Sequence, residues 1–167
     1  MKRLLATTAL LLVLTARAAD PDVAVLEPSG LGPIKLGMSV AQLASQLGEP
    51  LTEPSDPEER SCWYVESSKH PDVKFMVADG RLRRIDVQSM RVAALGAIRV
   101  GDSEQTVKRR FGTRVVQAPH HYGGPKDHYL TVRLNSSTAI RFETTDGKVD
   151  LFYLGGLEQV QHVEGCL

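Results

Sequence analysis

The chain has 167 residues, of which 42% are hydrophobic, and its 20 basic residues balance its 20 acidic residues. This length is enough for about one domain with one hydrophobic core. The charge balance leaves no basic excess, which argues against general nucleic-acid binding.

Residues 1–18 have the features of a secretory signal peptide. A charged start at Lys2 and Arg3 precedes an apolar run, and a small-x-small site ends at Ala18. The run is too short to span a bilayer, although an uncleaved membrane anchor is the alternative. We expect cleavage between Ala18 and Ala19 and a periplasmic or secreted mature chain. Cleavage removes three of the 20 basic residues and leaves 17 against 20 acidic ones.

The mature chain contains one stretch twice. Residues 32–48 (GPIKLGMSVAQLASQLG) align without a gap with residues 96–112 (GAIRVGDSEQTVKRRFG). Such self-similarity predicts a tandem repeat. We therefore divide the mature chain into a linker at 19–31, a first repeat at 32–94 and a second repeat at 95–167, together forming one structural domain.

Each copy predicts a short extended segment followed by a short helix. The pattern Gly-x-Ile-x-Leu/Val-Gly is typical of a strand, and Ser39 and Ser103 then stand where a helix N-cap belongs. We expect helices at about residues 40–47 and 104–111, each followed by a glycine. Helices of two or three turns are marginal alone, so each must pack against another element.

Three strands are predicted after each helix from alternating apolar residues. We expect them at residues 62–66, 73–77, 82–87, 129–134, 139–144 and 149–154, with Asp-Gly hairpins at 79–80 and 146–147. A last segment, 159–163, is expected as an edge strand. The result is an α+β fold in which both repeats form one sheet, with both helices on one face and the other face open to water.

Two cysteines, Cys62 and Cys166, remain in the mature chain. An even count in an exported chain favours a disulfide. This bridge would close a loop of about a hundred residues, for which the chain-entropy model gives at most about 4–5 kcal/mol. The alternatives are two buried thiols or an intermolecular pair.

Two loops lie at the same place in each repeat, between the helix and the first predicted strand. One spans residues 49–60 and is acidic, and the other spans residues 117–127. In repeat proteins such insertions map to one face, which is often the binding face. With the open sheet face they would form a saddle for a protein partner. The candidate contact residues are Glu53, Asp56, Glu58, Glu59, Tyr122 and Lys126.

The second predicted helix presents consecutive basic residues on its outward side. These are Lys108, Arg109 and Arg110, since Val107 and Phe111 face inward at helical spacing. A basic patch of this kind suits an anionic partner. The alternative is a solvated helix face that the acidic loop balances.

The most chemically suggestive stretch contains His120, His121 and His128 with Asp127. Imidazoles and a carboxylate could bind Zn²⁺ or Cu²⁺, but adjacent histidines point apart in an extended chain and no standard zinc spacing is present. A solvated loop is the alternative. A hydrolase that used these histidines with Asp127 would need a convergent pocket. We expect no metal and no cofactor.

The string Gly-Met-Ser-x-x-Gln-Leu-x-x-x-Leu-Gly-x-Pro at residues 37–50 resembles a known motif. It is similar to the small outer-membrane assembly lipoproteins of the SmpA/OmlA type, which share a fold with the β-lactamase inhibitor protein. The overall plan also resembles small exported proteobacterial proteins of unassigned function. The resemblance implies helix-then-strands units, carried twice in the inhibitor, and a binding role. The chain lacks a lipid-attachment cysteine and a bridge in each repeat, so no partner-binding residue carries over.

We therefore expect an exported, non-enzymatic binding module with a protein partner in the envelope or extracellular space. The partner relationship would be that of an enzyme inhibitor or of an envelope assembly or maintenance factor. The grounds are the duplicated open sheet and the lack of a catalytic constellation. The alternative is a small-ligand or metal-binding periplasmic protein that uses the His120–His128 loop.

Overall fold

The computed structural model describes residues 23–166, so the predicted signal peptide and the Ala18/Ala19 site lie outside the described residues. The fold is α+β and mostly strands, with two short α-helices and two sheets within that range. Helix α1 spans Val40–Leu47 and helix α2 spans Glu104–Phe111. The strands are β1 Ala24–Glu27, β2 Gly30–Leu31, β3 Ile34–Lys35, β4 Cys62–Glu66, β5 Val73–Ala78, β6 Arg81–Val87, β7 Val92–Ala94, β8 Val115–Pro119, β9 His128–Arg133, β10 Thr138–Thr145 and β11 Lys148–Gly156.

Both helices begin and end where the glycine and serine pattern predicts. The Ser39 side chain accepts a hydrogen bond from the Gln42 N–H, and the Gln42 side chain accepts one from the Ser39 N–H, which forms a capping box. Ser103 caps α2 by accepting from the Thr106 N–H. Helix α1 ends at Gly48, whose φ of 64° is the left-handed conformation that glycine adopts without a steric penalty.

The larger sheet has seven strands in the order β4-β5-β6-β11-β10-β9-β8. Its centre is the antiparallel pair β6–β11, which aligns Ile85 with Leu154. The hairpins β5–β6 and β10–β11 turn at Asp-Gly dipeptides, as predicted. Asp79 and Asp146 have φ values of 51° and 50°, the left-handed values that such tight hairpin turns require.

A second sheet corrects the expectation that all strands form one sheet. It has four short strands in the order β3-β2-β1-β7. Strands β1 and β2 lie within residues 19–31, where we expected a linker, and Leu26 and Leu31 on them are buried. Strand β1 pairs in parallel with β7, more than 60 positions later in the sequence, at the far end of the predicted first repeat. Strands this short carry too little periodicity to be predicted before that distant pairing is known.

Two further elements differ from the expectation. Strand β8 occupies Val115–Pro119 and so takes the start of the loop expected at 117–127. Residues Gln159–Gln161 form a 3₁₀ turn, not part of an edge strand. The segment cannot pair with the preceding strand, because β11 is already paired on both sides, with β6 and β10.

The main core lies between the seven-stranded sheet and the two helices. Leu43 and Leu47 of α1 and Val107 and Phe111 of α2 belong to the same buried cluster as the inward side chains of the sheet. Both helices therefore cover one face of the large sheet. No helix within residues 23–166 is long and apolar enough to cross a bilayer.

Candidate functional site

The face of the large sheet that points away from the helices, here called the outer face, is rich in charged and aromatic residues. Side chains alternate between faces along a strand, so these residues occupy alternate positions on strands β4, β6, β9, β10 and β11. The register places Asp86 beside Tyr153 and Tyr153 beside Arg141 on neighbouring strands. The residues concerned are Tyr64, Arg84, Asp86, Tyr129, Arg141, Glu143 and Tyr153.

The end of the chain covers this outer face, which corrects the expectation that the face is open to water. Arg84 is only 3% exposed because its Nη1 donates to the carbonyls of Gln159 at 2.8 Å and His162 at 2.7 Å. Val160 is fully buried against Tyr153. We call residues 157–166 the C-terminal segment.

The predicted disulfide between Cys62 and Cys166 is confirmed. It joins the last described residue of the C-terminal segment to the first residue of β4. The bridge and the contacts of Arg84 thus hold the segment across the sheet at separate points. A structural disulfide of this kind is consistent with an exported protein.

A buried ion pair forms the middle of the outer face. Arg84 contacts Asp86 through two parallel hydrogen bonds of 2.8 Å, and its guanidinium lies 4.3 Å from the ring centre of Tyr153. Tyr64 donates to Asp86 at 3.0 Å and accepts from Arg84 at 2.6 Å. Burial lowers the pKa of Arg84, but the bonds and charge of Asp86 outweigh it, so the net pKa is raised. Burial raises the pKa of Tyr64, and the Asp86 charge adds to this.

A second group of contacts continues the network towards the opposite edge of the sheet. The Tyr153 hydroxyl donates to Glu143 at 2.9 Å, and His120 Nε2 lies 3.1 Å from the other oxygen of Glu143. His120 Nδ1 accepts from the Tyr122 N–H at 3.2 Å, so neutral His120 carries its proton on Nε2 and donates it to Glu143. The His120 ring stacks on Tyr129 at 4.5 Å. Burial raises the pKa of Tyr153, and the Glu143 charge adds to this.

Two grooves flank the C-terminal segment on the outer face. One, of about 270 Å³, lies on the β4–β6 side and is lined by Tyr64, Lys74 and Glu143. The other, of about 450 Å³, lies between the segment and the loop after β8, and is lined by His121, Tyr122 and His162. Tyr122 is 63% exposed. The second groove therefore combines polar residues of the C-terminal segment with an exposed aromatic side chain.

The structure directs the three candidate metal-binding histidines to different partners. His120 contacts Glu143 on the outer face, whereas His128 Nδ1 lies 2.7 Å from Glu104 at the start of α2. His121 is exposed and packs edge-on against Tyr122. Within residues 23–166, no group of three or more His, Cys, Asp or Glu side chains is placed to hold a metal ion.

Glu104 and Asp127 are carboxylates with structural hydrogen bonds. Partial burial raises the pKa of Glu104, but hydrogen bonds from Thr144, Lys108 and His128 outweigh it, so the net pKa is lowered. Asp127 accepts from the backbone N–H groups of Asp146 at 2.8 Å and Gly124 at 2.6 Å, which lower its pKa. Asp127 thus closes the loop after β8.

The structure separates the charged candidates that the sequence suggested. Lys108 is bound to Glu104 at 2.9 Å, while Arg109 and Arg110 are exposed. The acidic loop precedes β4 at one edge of the large sheet, and the loop with Tyr122 and Lys126 follows β8 at the other. Six inter-strand spacings, or about 29 Å, separate those edges. The exposed acidic candidates are Glu53, Asp56, Glu58 and Glu59.

The outer-face network is the part of the site that sequence reasoning missed. The available signal was an arginine followed two positions later by an acid on two predicted strands, at Arg84/Asp86 and Arg141/Glu143. On an alternating strand this spacing places both charges on the same face. The sequence alone predicts that this face is open to water, because no residue pattern shows the C-terminal segment crossing it.

Comparison with known proteins supports the fold class. No family model and no curated protein matches the chain. The chain is similar in fold to an extracellular protein containing a SCP domain from Bacillus anthracis str. Ames, with a TM-score of 0.51 and 13% identity over 91% of this chain and 52% of that one. The chain thus spans about half the length of that protein.

A second solved structure, the uncharacterized protein yfeY from Escherichia coli, matches with a TM-score of 0.36 and 13% identity over 56% of this chain and 71% of that one. That similarity is too low to carry an argument. The resemblance to SmpA/OmlA lipoproteins and the β-lactamase inhibitor protein stays a prediction. What the fold and the site define is an α+β protein with two sheets and a disulfide-anchored C-terminal segment.

Proposed function

We propose that the chain is an exported, non-enzymatic binding module for a protein of the envelope or extracellular space. The observation that carries the proposal is the groove between the C-terminal segment and the loop after β8, with exposed Tyr122 on its rim. Aromatic side chains that stand beside a polar, well-ordered surface are typical of binding hot spots. An enzyme inhibitor and an envelope assembly or maintenance factor both fit such a surface.

The residues that adjoin this groove are held in place, which supports a binding role. His120 is held by Glu143, Tyr122 and Tyr129, and the C-terminal segment is held by Arg84 and by the disulfide. Groups that are already ordered lose little conformational entropy when a partner binds. The surface therefore suits recognition of a folded protein.

We include the tandem repeat in this proposal, and matching backbone hydrogen bonds just before each helix support it. The Gly37 N–H donates to the Leu82 carbonyl, and the Gly101 N–H donates to the Val149 carbonyl, each at 2.7 Å. Leu82 and Val149 are each the second residue of the return strand of an Asp-Gly hairpin. The antiparallel β6–β11 pair would relate repeats 32–94 and 95–167 by an approximate two-fold axis through the sheet.

The test is an affinity pull-down of the mature chain, residues 19–167 in oxidised form, from a periplasmic and envelope extract. We expect one stoichiometric partner, identified by mass spectrometry, that Tyr122→Ala loses. Met90→Ala is the matched control because Met90 is also exposed, at 71%, but lines a different cavity. A parallel variant that reverses Lys108, Arg109 and Arg110 to Glu tests the helix surface separately.

Retention of the same partner by Tyr122→Ala would reject the groove as the binding surface. If neither the wild type nor any variant retains a protein, calorimetric titration with Zn²⁺ and Cu²⁺ tests the alternative at His120, His121 and His128. Amino-terminal sequencing of the exported chain tests the proposed cleavage at Ala18/Ala19.

A further inference from the structure

The seven-stranded sheet has two edges, β4 and β8, and they differ in how many backbone groups they leave without a partner. An edge strand uses every second N–H and C=O pair for its one neighbour and directs the others outward. The register of each edge strand identifies which residues point outward.

At the β4 edge the outward residues are Cys62, Tyr64 and Glu66. The Asp79 N–H donates to the Ser61 carbonyl at 3.2 Å, so Ser61 and Asp79 form a hydrogen-bonded pair. The register that continues from Cys62 to Glu66 is unbroken. Hydrogen-bonded pairs alternate in an antiparallel ladder, so Trp63 and Val65 bond to β5 and the residues between them face away. Within residues 23–166, these outward backbone groups have no hydrogen-bond partner. The edge thus offers three donors and three acceptors.

At the β8 edge the same geometry leaves one free donor. The His120 N–H donates to the Asp127 carbonyl at 2.9 Å, so Val115, Gln117 and Pro119 face outward. The Val115 N–H donates to the Gly112 carbonyl, and proline has no N–H. Among the described residues of β8, only the Gln117 N–H points outward without a partner. Strand β8 therefore has the protection expected of an edge strand, and β4 lacks it.

The charge beside β4 indicates what could pair with it. From residue 49 to residue 66 the chain has six acidic residues and one basic residue, Arg60. Glu58 and Glu59 are exposed and lie just before the strand, with Arg60 and Ser61 between them and Cys62. Glu66 ends the strand and is paired with Lys74 at 2.8 Å. A second copy of the chain would bring two acidic loops to the same antiparallel pair, which like charges disfavour. The acidic surroundings favour a basic partner.

We propose that β4 is a docking edge for an extended, basic segment of another protein, which adds to the sheet as an eighth strand. Main-chain hydrogen bonds to Cys62, Tyr64 and Glu66 supply the pairing, and the acidic loop selects lysine or arginine next to it. This inference goes beyond the proposed function, which concerns the groove at Tyr122 near the opposite edge.

The test is a titration of the ¹⁵N-labelled mature chain, in oxidised form, with the acetylated peptide Lys-Val-Thr-Val-Thr-Val-Lys, followed by NMR. We expect saturable shifts of the Cys62, Tyr64 and Glu66 amides, with a dissociation constant of about 100 μM or tighter. The Gln117 amide serves as the internal control and should not shift. Replacing both lysines by glutamate, or N-methylating alternate peptide amides, should weaken binding about tenfold or more.

Two variants at one position separate backbone pairing from charge. Both variants remove the charge of Glu66 and its ion pair with Lys74, and only Glu66→Pro also removes the outward N–H. We expect Glu66→Pro to bind the peptide several-fold more weakly than Glu66→Gln, and Gln117→Pro to bind it like the wild type.

Shifts confined to other residues, equal binding by Glu66→Pro and Glu66→Gln, or no saturable binding of the basic peptide would each overturn the proposal. Sedimentation would also overturn it if it showed a dimer that the peptide dissociates, since the occupant would then be a second copy. Because the probe is a defined peptide, failure here leaves the pull-down test of the Tyr122 groove unaffected.

Discussion

The two faces of the seven-stranded sheet are buried in different ways. The inner face is covered by α1 and α2, and its contacts are apolar, as between Phe142 and Phe111. The outer face is covered by the C-terminal segment, and its contacts are charged and aromatic, as where Arg84 meets the carbonyl of Gln159, 75 residues away in the sequence. One face is buried by the hydrophobic effect and the other by satisfied polar groups.

Because of this difference, the two faces should tolerate different amino-acid substitutions. Apolar contacts are non-directional, so a substitution on the inner face loses buried area in proportion to its size. A polar network in a dry environment is directional, so removal of one partner leaves another group buried and unsatisfied. The outer face should therefore be more sensitive to which partner is removed than to the size of the side chain.

The largest expected effect comes from uncoupling the C-terminal segment from the outer face. Replacing both Cys62 and Cys166 by Ser opens a loop that spans 104 positions of sequence. We expect the free energy of unfolding to fall by at most about 4–5 kcal/mol in urea titrations. Faster hydrogen exchange at residues 157–166 should accompany the loss. A loss below about 1 kcal/mol would show that the contacts of Arg84 hold the segment without the bridge.

The next largest loss of stability is expected from a substitution on the inner face. Phe142 is fully buried between Phe111 and Phe152, so Phe142→Ala should cost about 3–5 kcal/mol by urea unfolding. Phe142→Leu is the matched control and should cost about half as much or less, because most of the volume is kept. Equal costs for the two variants would contradict the view that buried volume governs this face.

A double-mutant cycle tests the polar character of the outer face. Arg84→Met should cost about 3 kcal/mol, since Asp86 is left buried without its partner and two carbonyls of the C-terminal segment lose their donor. The double variant Arg84→Met with Asp86→Leu should recover part of that loss, because no unpaired charge remains. Thermal and urea unfolding measure both. Additive costs would argue against coupling of the pair.

A smaller, pH-dependent effect is expected where α2 meets β9 and β10. The folded-state pKa of Glu104 is lowered, since bonds from Thr144, Lys108 and His128 outweigh the burial that raises it. A depressed carboxyl pKa gives stability that is present above the unfolded pKa, near 4.3, and is lost as the pH falls through the folded pKa. Glu104→Gln should lose about 1–2 kcal/mol at pH 7 and less at about pH 3, below the unfolded pKa. Urea unfolding at both pH values measures this, and an equal loss at both would contradict it.

The smallest effect comes from the helix caps that hold the inner layer. Ser39→Ala and Ser103→Ala each remove a side-chain acceptor from the first helical turn. We expect a loss of about 1 kcal/mol for each. The two losses should be similar, since alanine keeps the backbone N–H at residue 39 that donates to the Gln42 side chain. Threonine at either position should retain most of the stability in thermal unfolding.

Much of the inner layer could be predicted because its signals are local. The serine caps and closing glycines set the ends of α1 and α2, and the Asp-Gly dipeptides set both hairpins. Alternating apolar residues identified the core strands, and the compartment indicated by the signal peptide favoured the disulfide. Each signal acts within a few residues or depends on composition, so one sequence is enough to show it.

The helices, the hairpins, the inward-facing residues and a favoured disulfide between Cys62 and Cys166 could thus be predicted from the residues alone. The fold was needed to show that β1 and β7 build a second sheet, that the C-terminal segment crosses the outer face, and that β4 keeps its edge open while β8 does not. The two groups of features differ in how far apart in the sequence the interacting residues lie. Capping, turns and alternation depend on neighbours in the chain, whereas strand order, polar burial and free edges depend on which distant residues meet in space.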